Sequence, residues 1–532
     1  MSTPTFFIHT LGCKVNRAES ETLAAALLEL GWMPAADARA TLAVLSTCTV
    51  TGEADAKNRK VLRALLRQGP QHIIVTGCAV NMDADAYASL DGRIVCVASK
   101  AKLPEVAQRL VSQQEAGDGE PQAGADVCAA QGDGAGHGFA SVGGPGMGAN
   151  ACAVQGDAAT HGFAPAGGSR AGGNARDAQE GGAARGFGGS ERPGTGANAR
   201  AAQGNGAERG FAPAEKPHAA PNPRVARETA AELGFAPGNS PTTRPLFRTR
   251  VDVKIQDGCD NACSYCIVHA ARGPARSEPA DGVVERVAQL AASGTQEVVL
   301  VGIDIGAYRD GALDLAGLLQ RLLAETGIGR IRISSIEPHS LTPPLIDVLA
   351  HAGGRVCRHL HVCLQSGSSN VLRQMNRGYS AEAFAELVGA ARAQVEGLAL
   401  STDVIVGFPG ETDGDFERTC QLVRECGFMR LHVFRYSKRP GTPAAERADQ
   451  VPPQVMAARA ARLRELGAAL AMRDAKGRIG RVEQVIVERP GRGTAESYHG
   501  VAFAADAPQG SLLPMRLTAY DEQRGLLIAE PC

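Results

Sequence analysis

The stretch VDVKIQDGCDNACSYCIV, residues 251–268, decides how this chain is read. Its opening VDVKIQ reads as a β-strand, and Cys259, Cys263 and Cys266 follow with no fourth cysteine nearby. A cube of four irons normally takes four thiolates, one per iron. A zinc site takes four ligands, or three with one position left open for chemistry. Three thiolates leave one corner of either site to be filled from elsewhere, and its occupant settles what the chain does.

Working outward, the rhythm of strand and helix continues. Strands are expected at EVVLVGI (297–303), RIRISSI (330–336), HLHVCLQ (359–365), LALSTDVIVGF (398–408) and LHVFRYS (431–437). Helical patterns intervene at about 281–293, 313–325, 343–352, 380–396 and 412–426. Six such units point to a partial (β/α)6 barrel rather than a full eight-unit one. Active sites of such barrels gather at the carboxyl ends of the strands, where the cysteine loop lies.

The first hundred residues alternate in the same way. Strands are expected at TFFIHTL (5–11), TLAVLST (41–47), HIIVTG (72–77) and RIVCVA (93–98). Asn16 is placed to cap a helix over AESETLAAALLELG, and further helices are expected over Glu53–Arg67 and near Ala84–Leu90. This is the pattern of an open parallel sheet. Cys13, Cys48 and Cys78 each follow one of the strands. The carboxyl ends of parallel strands share one edge, where ligands bind, so three distant thiols converge and read as a metal site. Cys96, inside the fourth strand, reads as core.

The full chain has 532 residues, a formal net charge of -1 and 14 cysteines. That length allows several domains, and the balanced charge gives no composition-level sign of a nucleic-acid partner. The N-terminus lacks a basic region followed by an apolar run, and no segment approaches eighteen uninterrupted apolar residues. Neither a signal peptide nor a membrane span is expected. Cysteines without export features imply a reducing compartment, and the cytoplasm is the expected location. Residues 113–245 stand apart. Gly, Ala, Pro and small polar residues dominate there, and Phe139, Phe163, Phe187, Phe211 and Phe235 recur every 24 residues. One Phe per repeat buries too little apolar area to offset chain entropy, so a disordered, tandemly duplicated insertion is expected, with Cys128 and Cys152 as passengers.

The CxxxCxxC spacing at a barrel mouth closely resembles the radical S-adenosylmethionine (SAM) enzymes. In that superfamily such a loop holds three irons of a cube, and the methionine amino and carboxylate groups of SAM take the open corner. One electron then cleaves SAM to a 5′-deoxyadenosyl radical. Zinc is the competing occupant, and the barrel context disfavours it. TLGCKVNRAESE, LSTCTVTGEAD and VTGCAV further resemble the amino-terminal domain of the methylthiotransferases. RIRISSIEP, HLHVCLQSGSSNVLRQMNRGYS, STDVIVGFPGET and LHVFRYSKRPGTPAA resemble their barrel. TLGCKVN with KIQDGC is most similar to the branch acting on threonylcarbamoyladenosine in tRNA. The other branches act on isopentenyladenosine in tRNA and on an aspartate of a ribosomal protein.

The resemblance implies two 4Fe–4S clusters, one on Cys259, Cys263 and Cys266 and a second on Cys13, Cys48 and Cys78, with SAM as the other cofactor. Tyr265 is implied near the adenine of SAM and the glycine turn from Gly407 to Gly410 as a place where backbone amides approach SAM, while Glu337 and Gln365 end strands three and four either as SAM contacts or as polar residues of the barrel rim. Asp304 also ends a strand. Cys363 and Arg435 stand where the family commonly has proline, and HAARGPARSE, with Arg272 and Arg276, departs from its usual wording. The implied partners are tRNA, a flavodoxin- or ferredoxin-like electron donor and a sulfur donor, with no membrane.

Residues 478–532 read as several short strands with Gly turns, suiting a small β-barrel that resembles the TRAM module. Six Arg and no Lys stand there against seven Asp plus Glu, with Arg478, Arg481, Arg489 and Arg492 expected to cluster. The expected architecture is therefore α/β: an open parallel sheet domain at 1–112, the insertion at 113–245, the barrel at 246–475 and the β-barrel at 476–532. The expected function is methylthiolation of threonylcarbamoyladenosine. The alternatives are the other two branches and, in another class, a non-catalytic iron–sulfur scaffold or sensor.

Overall fold

A computed structural model describes residues 3–115 and 249–532, residue 505 excepted. The repeat region, with the expectation of disorder and Cys128 and Cys152, lies outside the described residues, apart from 113–115 at the end of a helix.

The amino-terminal part is a parallel sheet in the order β2-β1-β3-β4-β5: β1 Thr5–Thr10, β2 Met33–Pro34, β3 Leu42–Thr47, β4 His72–Gly77 and β5 Ile94–Val97. Helices α1 Lys14–Glu29, α2 Gly52–Gln68, α3 Cys78–Met82 and α4 Leu103–Glu115 join and cover these strands. Ile8, Val44 and Ile74 pack beneath Leu23, Leu27 and Val106 on one face. Phe7, Leu45 and Val75 pack against Leu62 and Leu65 on the other. One expectation is corrected. Asn16 does not cap α1 but lies inside it, with Cys13 at the N-cap position. The helix expected near Ala84–Leu90 is present as one short turn of α-helix at Asp85–Ala88, and α3 begins at Cys78 itself.

The second part carries β6 Arg250–Lys254, β7 Glu297–Val301, β8 Arg330–Ile333, β9 Ser335–Ile336, β10 His359–Val362, β11 Ala399–Val406 and β12 Arg430–Arg435. All are parallel, in the order β6-β7-β8 and then β9-β10-β11-β12, with β9 continuing β8 after one residue. This is an open barrel of six strand positions, as expected from six strand–helix units. Alternation along each strand sorts the side chains. Val251, Val253, Val298, Leu300, Ile331, Leu360, Leu400 and Val404 join the apolar layer under the outer helices. Leu431 and Val433 pack against the same layer. The intervening residues therefore face the lumen: Asp252, Arg332, His359, His361, Ser401, Asp403, Arg430, His432 and Phe434. One flank of this lumen is covered by α1, whose Val15 and Ala18 pack on Val299 and Val301.

Helix α5 Pro453–Gly477 leads to a closed five-stranded barrel, as expected: β13 Val482–Arg489, β14 Arg492–Ala495, β15 Gly500–Phe503, β16 Leu512–Asp521 and β17 Leu526–Pro531, in the order β13-β14-β15-β17-β16. It docks at the amino-terminal end of the large barrel. Glu297 pairs with Arg330 and Arg332, and these donate to the carbonyl oxygens of Gln484, Thr494, Ala495 and Glu496. The expected cluster of four arginines is not one surface. Arg478 is buried between Asp474 and Glu483, so its charge is already used inside the fold.

Candidate iron–sulfur and substrate site

Cys48 and Cys78 directly follow the adjacent strands β3 and β4, and Cys13 follows β1 on the other side of β3, so the three thiols meet at one sheet edge. Burial pushes the Cys48 thiol up to about 11, and the neighbouring Cys13 and Cys78 add to the shift. Gly12 makes the approach possible. Its φ is +100°, and a Cβ there would stand 2.7 Å from the Cys48 Cβ and 3.0 Å from its sulfur. The buried Cys48 and Cys78 thiols resist ionisation, and a metal cluster is the partner that would replace their protons. The donor set fits a cluster held by three thiolates.

A buried charge network backs this trio. Arg272 donates from Nε to the Cys78 sulfur at 3.2 Å, and its two Nη atoms reach Glu19, Asp257 at 2.9 Å and the Asn16 side-chain oxygen at 2.6 Å. The cationic form of Arg272 is favoured by Cys78, Glu19 and Asp257 against the cost of burial. Asn16 meanwhile donates to the carbonyls of Leu11 and Thr47, tying β1 to β3 beside the cysteines. Lys100 pairs with Glu19 and also donates to Asn16. Glu19 and Lys100 were not singled out from the sequence, and Asn16 was read there only as a helix cap. The phrase HAARGPARSE supplies Arg272, and its departure from the family's wording had obscured that role.

Cys259, Cys263 and Cys266 lie in the loop beyond β6. The backbone at Cys259 donates to Gly273 O, Ser264 donates to Met375 O, and Ala444 donates to Ser264 O, which fixes the loop at three places. Burial pushes Cys266 up to about 11, with Cys263 and Cys259 adding to the shift. Arg377 donates to the Cys263 sulfur at 3.1 Å, pairs with Glu337, and donates to the Tyr379 hydroxyl at 3.1 Å. Each cysteine trio thus has one arginine on one of its sulfurs. Burial pushes the Glu337 carboxyl up to about 7 against the pull of Arg377. Asp304 is raised by burial as well, and accepts from Asn261 at 3.2 Å.

The other expected site residues sit around this loop. Tyr265 packs edge-on to Phe408 at 6.5 Å, beside Tyr436 and Met456. Gln365 has φ +65°, unusual for a residue with a side chain, and is pinned by bonds to Asp403 and Ile405 on β11. The Gly407 amide donates to Glu411 at 2.6 Å, and the Gly410 amide donates to Asp449 O at 2.9 Å. Both amides of the expected SAM-binding turn are therefore engaged within the chain, and Arg459 holds Glu411 in place at 2.7 Å.

Along β10, β11 and β12 the lumen wall is polar. Asp403 accepts from His361 at 3.2 Å and from His432 at 3.1 Å. Ser401 bonds His361 and His359, each at 3.0 Å. The His359 ring lies 4.8 Å from Tyr498, which projects from the turn between β14 and β15. None of these was singled out from the sequence. Their signal was the period-two alternation of polar residues in HLHV, STDV and RLHVF, which marks strands with one polar face.

Residues 253–423 match the radical SAM superfamily, and residues 5–99 match an uncharacterized protein family, UPF0004. A threonylcarbamoyladenosine tRNA methylthiotransferase MtaB of Treponema pallidum is 33% identical over 469 residues, covering 86% of this chain and 86% of that protein. The MtaB of Chlamydia pneumoniae is 29% identical, covering 91% and 87%. A tRNA-2-methylthio-N(6)-dimethylallyladenosine synthase of Sorangium cellulosum is 46% identical over a shorter stretch, 48% of this chain and 53% of that protein. No helix among the described residues is long and apolar enough to cross a membrane.

Proposed function

The chain belongs to the radical SAM methylthiotransferase family, and from that premise we propose that it installs a methylthio group on carbon-2 of N6-threonylcarbamoyladenosine beside a tRNA anticodon. Its cofactors are SAM and 4Fe–4S iron–sulfur chemistry; the reading uses two clusters and two SAM per product. The observation that carries it is the pair of three-cysteine sets, each at the carboxyl ends of parallel strands and each with an arginine on one sulfur. When bound, SAM and a reduced cluster supply a radical able to take hydrogen from an unactivated C–H bond, which no ordinary acid or base can do.

The chain's own residues divide the work. Cys259, Cys263 and Cys266 hold the barrel cluster, and Arg377 fixes the Cys263 sulfur. Tyr265, Glu337 and Gln365 form the wall offered to SAM. The Gly407–Gly410 turn contributes shape there, since its two amides are taken. Cys13, Cys48 and Cys78 hold the second cluster, which carries the sulfur to be inserted. The C-terminal barrel contributes to holding tRNA. The remaining partners are a flavodoxin- or ferredoxin-like electron donor and a sulfur donor.

Relatives named MtaB that align along most of the chain support the threonylcarbamoyl branch. The higher local identity to the Sorangium enzyme makes isopentenyladenosine the second reading. Nucleoside mass spectrometry of tRNA from cells lacking the gene separates them. Loss of the methylthio form of threonylcarbamoyladenosine is expected, and its persistence rejects the assignment. Reconstituted protein should hold about eight irons per chain. Cys13→Ala is expected to keep forming 5′-deoxyadenosine from SAM with dithionite while methylthiolation is lost. Absence of 5′-deoxyadenosine from the unaltered protein would point to a scaffold.

A further inference from the structure

The lumen gathers cations around one aromatic ring. Four surround the Tyr498 ring: Arg332 at 4.7 Å, Arg430 at 5.3 Å, Arg250 at 5.5 Å and Lys14 at 5.7 Å from its centre. Arg250 is paired with Glu488, and Arg332 with Glu297. Lys14 and Arg430 have no carboxylate within ion-pairing distance among the described residues. Lys14 is also largely buried, at the start of α1 and adjacent to Cys13. Buried charges are ordinarily paired, so the largely buried, unpaired Lys14 marks a place where an anion belongs, and Arg430, which is exposed, stands beside the same ring. Tyr498 itself is held at φ +72°, a strained backbone for a tyrosine, which keeps its ring in this position.

The same face of β12 shows what approaches from above. Arg430, His432 and Phe434 alternate along it toward the mouth, and Phe434 is exposed. An exposed aromatic at the mouth offers a stacking surface for an extruded base. His432, paired with Asp403, lies one step deeper, and Arg430 lies about 13 Å below Phe434 along the strand. A base at Phe434 would send its N6 substituent down toward His432, Arg430 and Lys14. An isoprenoid substituent would bury apolar surface against unpaired charges there. A threonylcarbamoyl group ends in a carboxylate.

Resting on the proposed threonylcarbamoyl substrate, we propose that Lys14 and Arg430, with His432 above them, are the specificity-determining set that receives the carboxylate of the N6 substituent. A charged group deprived of its partner in such a site loses about 10- to 100-fold in discrimination. The test uses holoenzyme with both clusters loaded, verified by iron content, and anticodon stem-loop RNAs. One RNA carries threonylcarbamoyladenosine, one its neutral methyl ester, and one isopentenyladenosine. Wild type is expected to prefer the acid over the ester by about 10- to 100-fold in kcat/KM, and Lys14→Met and Arg430→Met each to erase most of that preference. A damaged fold would lower both substrates together and leave the ratio standing. Arg430→Met is remote in sequence from the cysteines and decides the question if Lys14→Met fails to load its cluster. Equal turnover of acid and ester by wild type, or an unchanged preference in Arg430→Met, overturns the assignment while leaving the substrate reading intact. Turnover of the isopentenyl RNA alone overturns both.

Discussion

Gly12 shows how much can hang on one missing carbon. The preceding strand must turn sharply to bring Cys13 to Cys48, and a side chain at Gly12 would meet the Cys48 Cβ at 2.7 Å in a left-handed backbone. Gly12→Ala is expected to cost about 1–3 kcal/mol and to spread the amino-terminal trio. Iron content of the reconstituted variant should fall from about eight toward about four per chain, with SAM cleavage kept. A variant that retained full iron would show that the trio tolerates the shift. Asn16 carries the opposite lesson. Its place before a helical pattern suggested a cap, because asparagine at a helix start usually satisfies free amides. Here the side chain bridges the ends of β1 and β3 and accepts from Arg272, so tertiary contacts overrode the local preference.

At the scale of elements, α5 holds the turn after β11 in shape. Arg459 on α5 reaches Glu411 at 2.7 Å and Asp413 at 2.7 Å, and Glu411 in turn holds the Gly407 amide. Glu411 is buried, and its second oxygen has no hydrogen-bond partner among the described residues. Arg459→Met should therefore leave a buried carboxylate without its counterion. The expected loss is about 3–5 kcal/mol of stability, read by anaerobic denaturant unfolding. A several-fold rise in KM for SAM should accompany it, since the turn borders the side of the barrel proposed to receive SAM. The strands and helices of the barrel were legible in the sequence because each apolar run has its own period and stop signals. Which strand residues form the lumen was legible only as alternation, and the partner of each lumen residue was not.

The molecule as a whole is latched at the base of the large barrel. Glu297 is fully buried between Arg330 and Arg332, which bind carbonyls of the C-terminal barrel. Burial opposes its ionisation, yet Arg332, Arg330 and Arg250 hold the carboxyl at about 2, below its ordinary value. A depressed carboxyl contributes stability that is present above its unfolded pKa and lost as pH falls toward the folded one. The latch should therefore hold at pH 5 and weaken between about pH 4.5 and 2, by roughly 2–3 kcal/mol. Hydrogen exchange of strands β13 and β14 is expected to accelerate over that range ahead of β7. Equal protection throughout would show that the latch is not governed by this carboxylate. By itself the sequence determined the two cysteine trios, the alternation that builds two parallel sheets, and the closed C-terminal barrel, because spacing, periodicity and turn residues are local properties. Only the tertiary structure decided which charges meet: Arg272 on Cys78, Arg377 on Cys263, and Lys14 with Arg430 around Tyr498. Those pairings join residues up to hundreds of positions apart, and charge acts through space, so no local pattern in the chain encodes them.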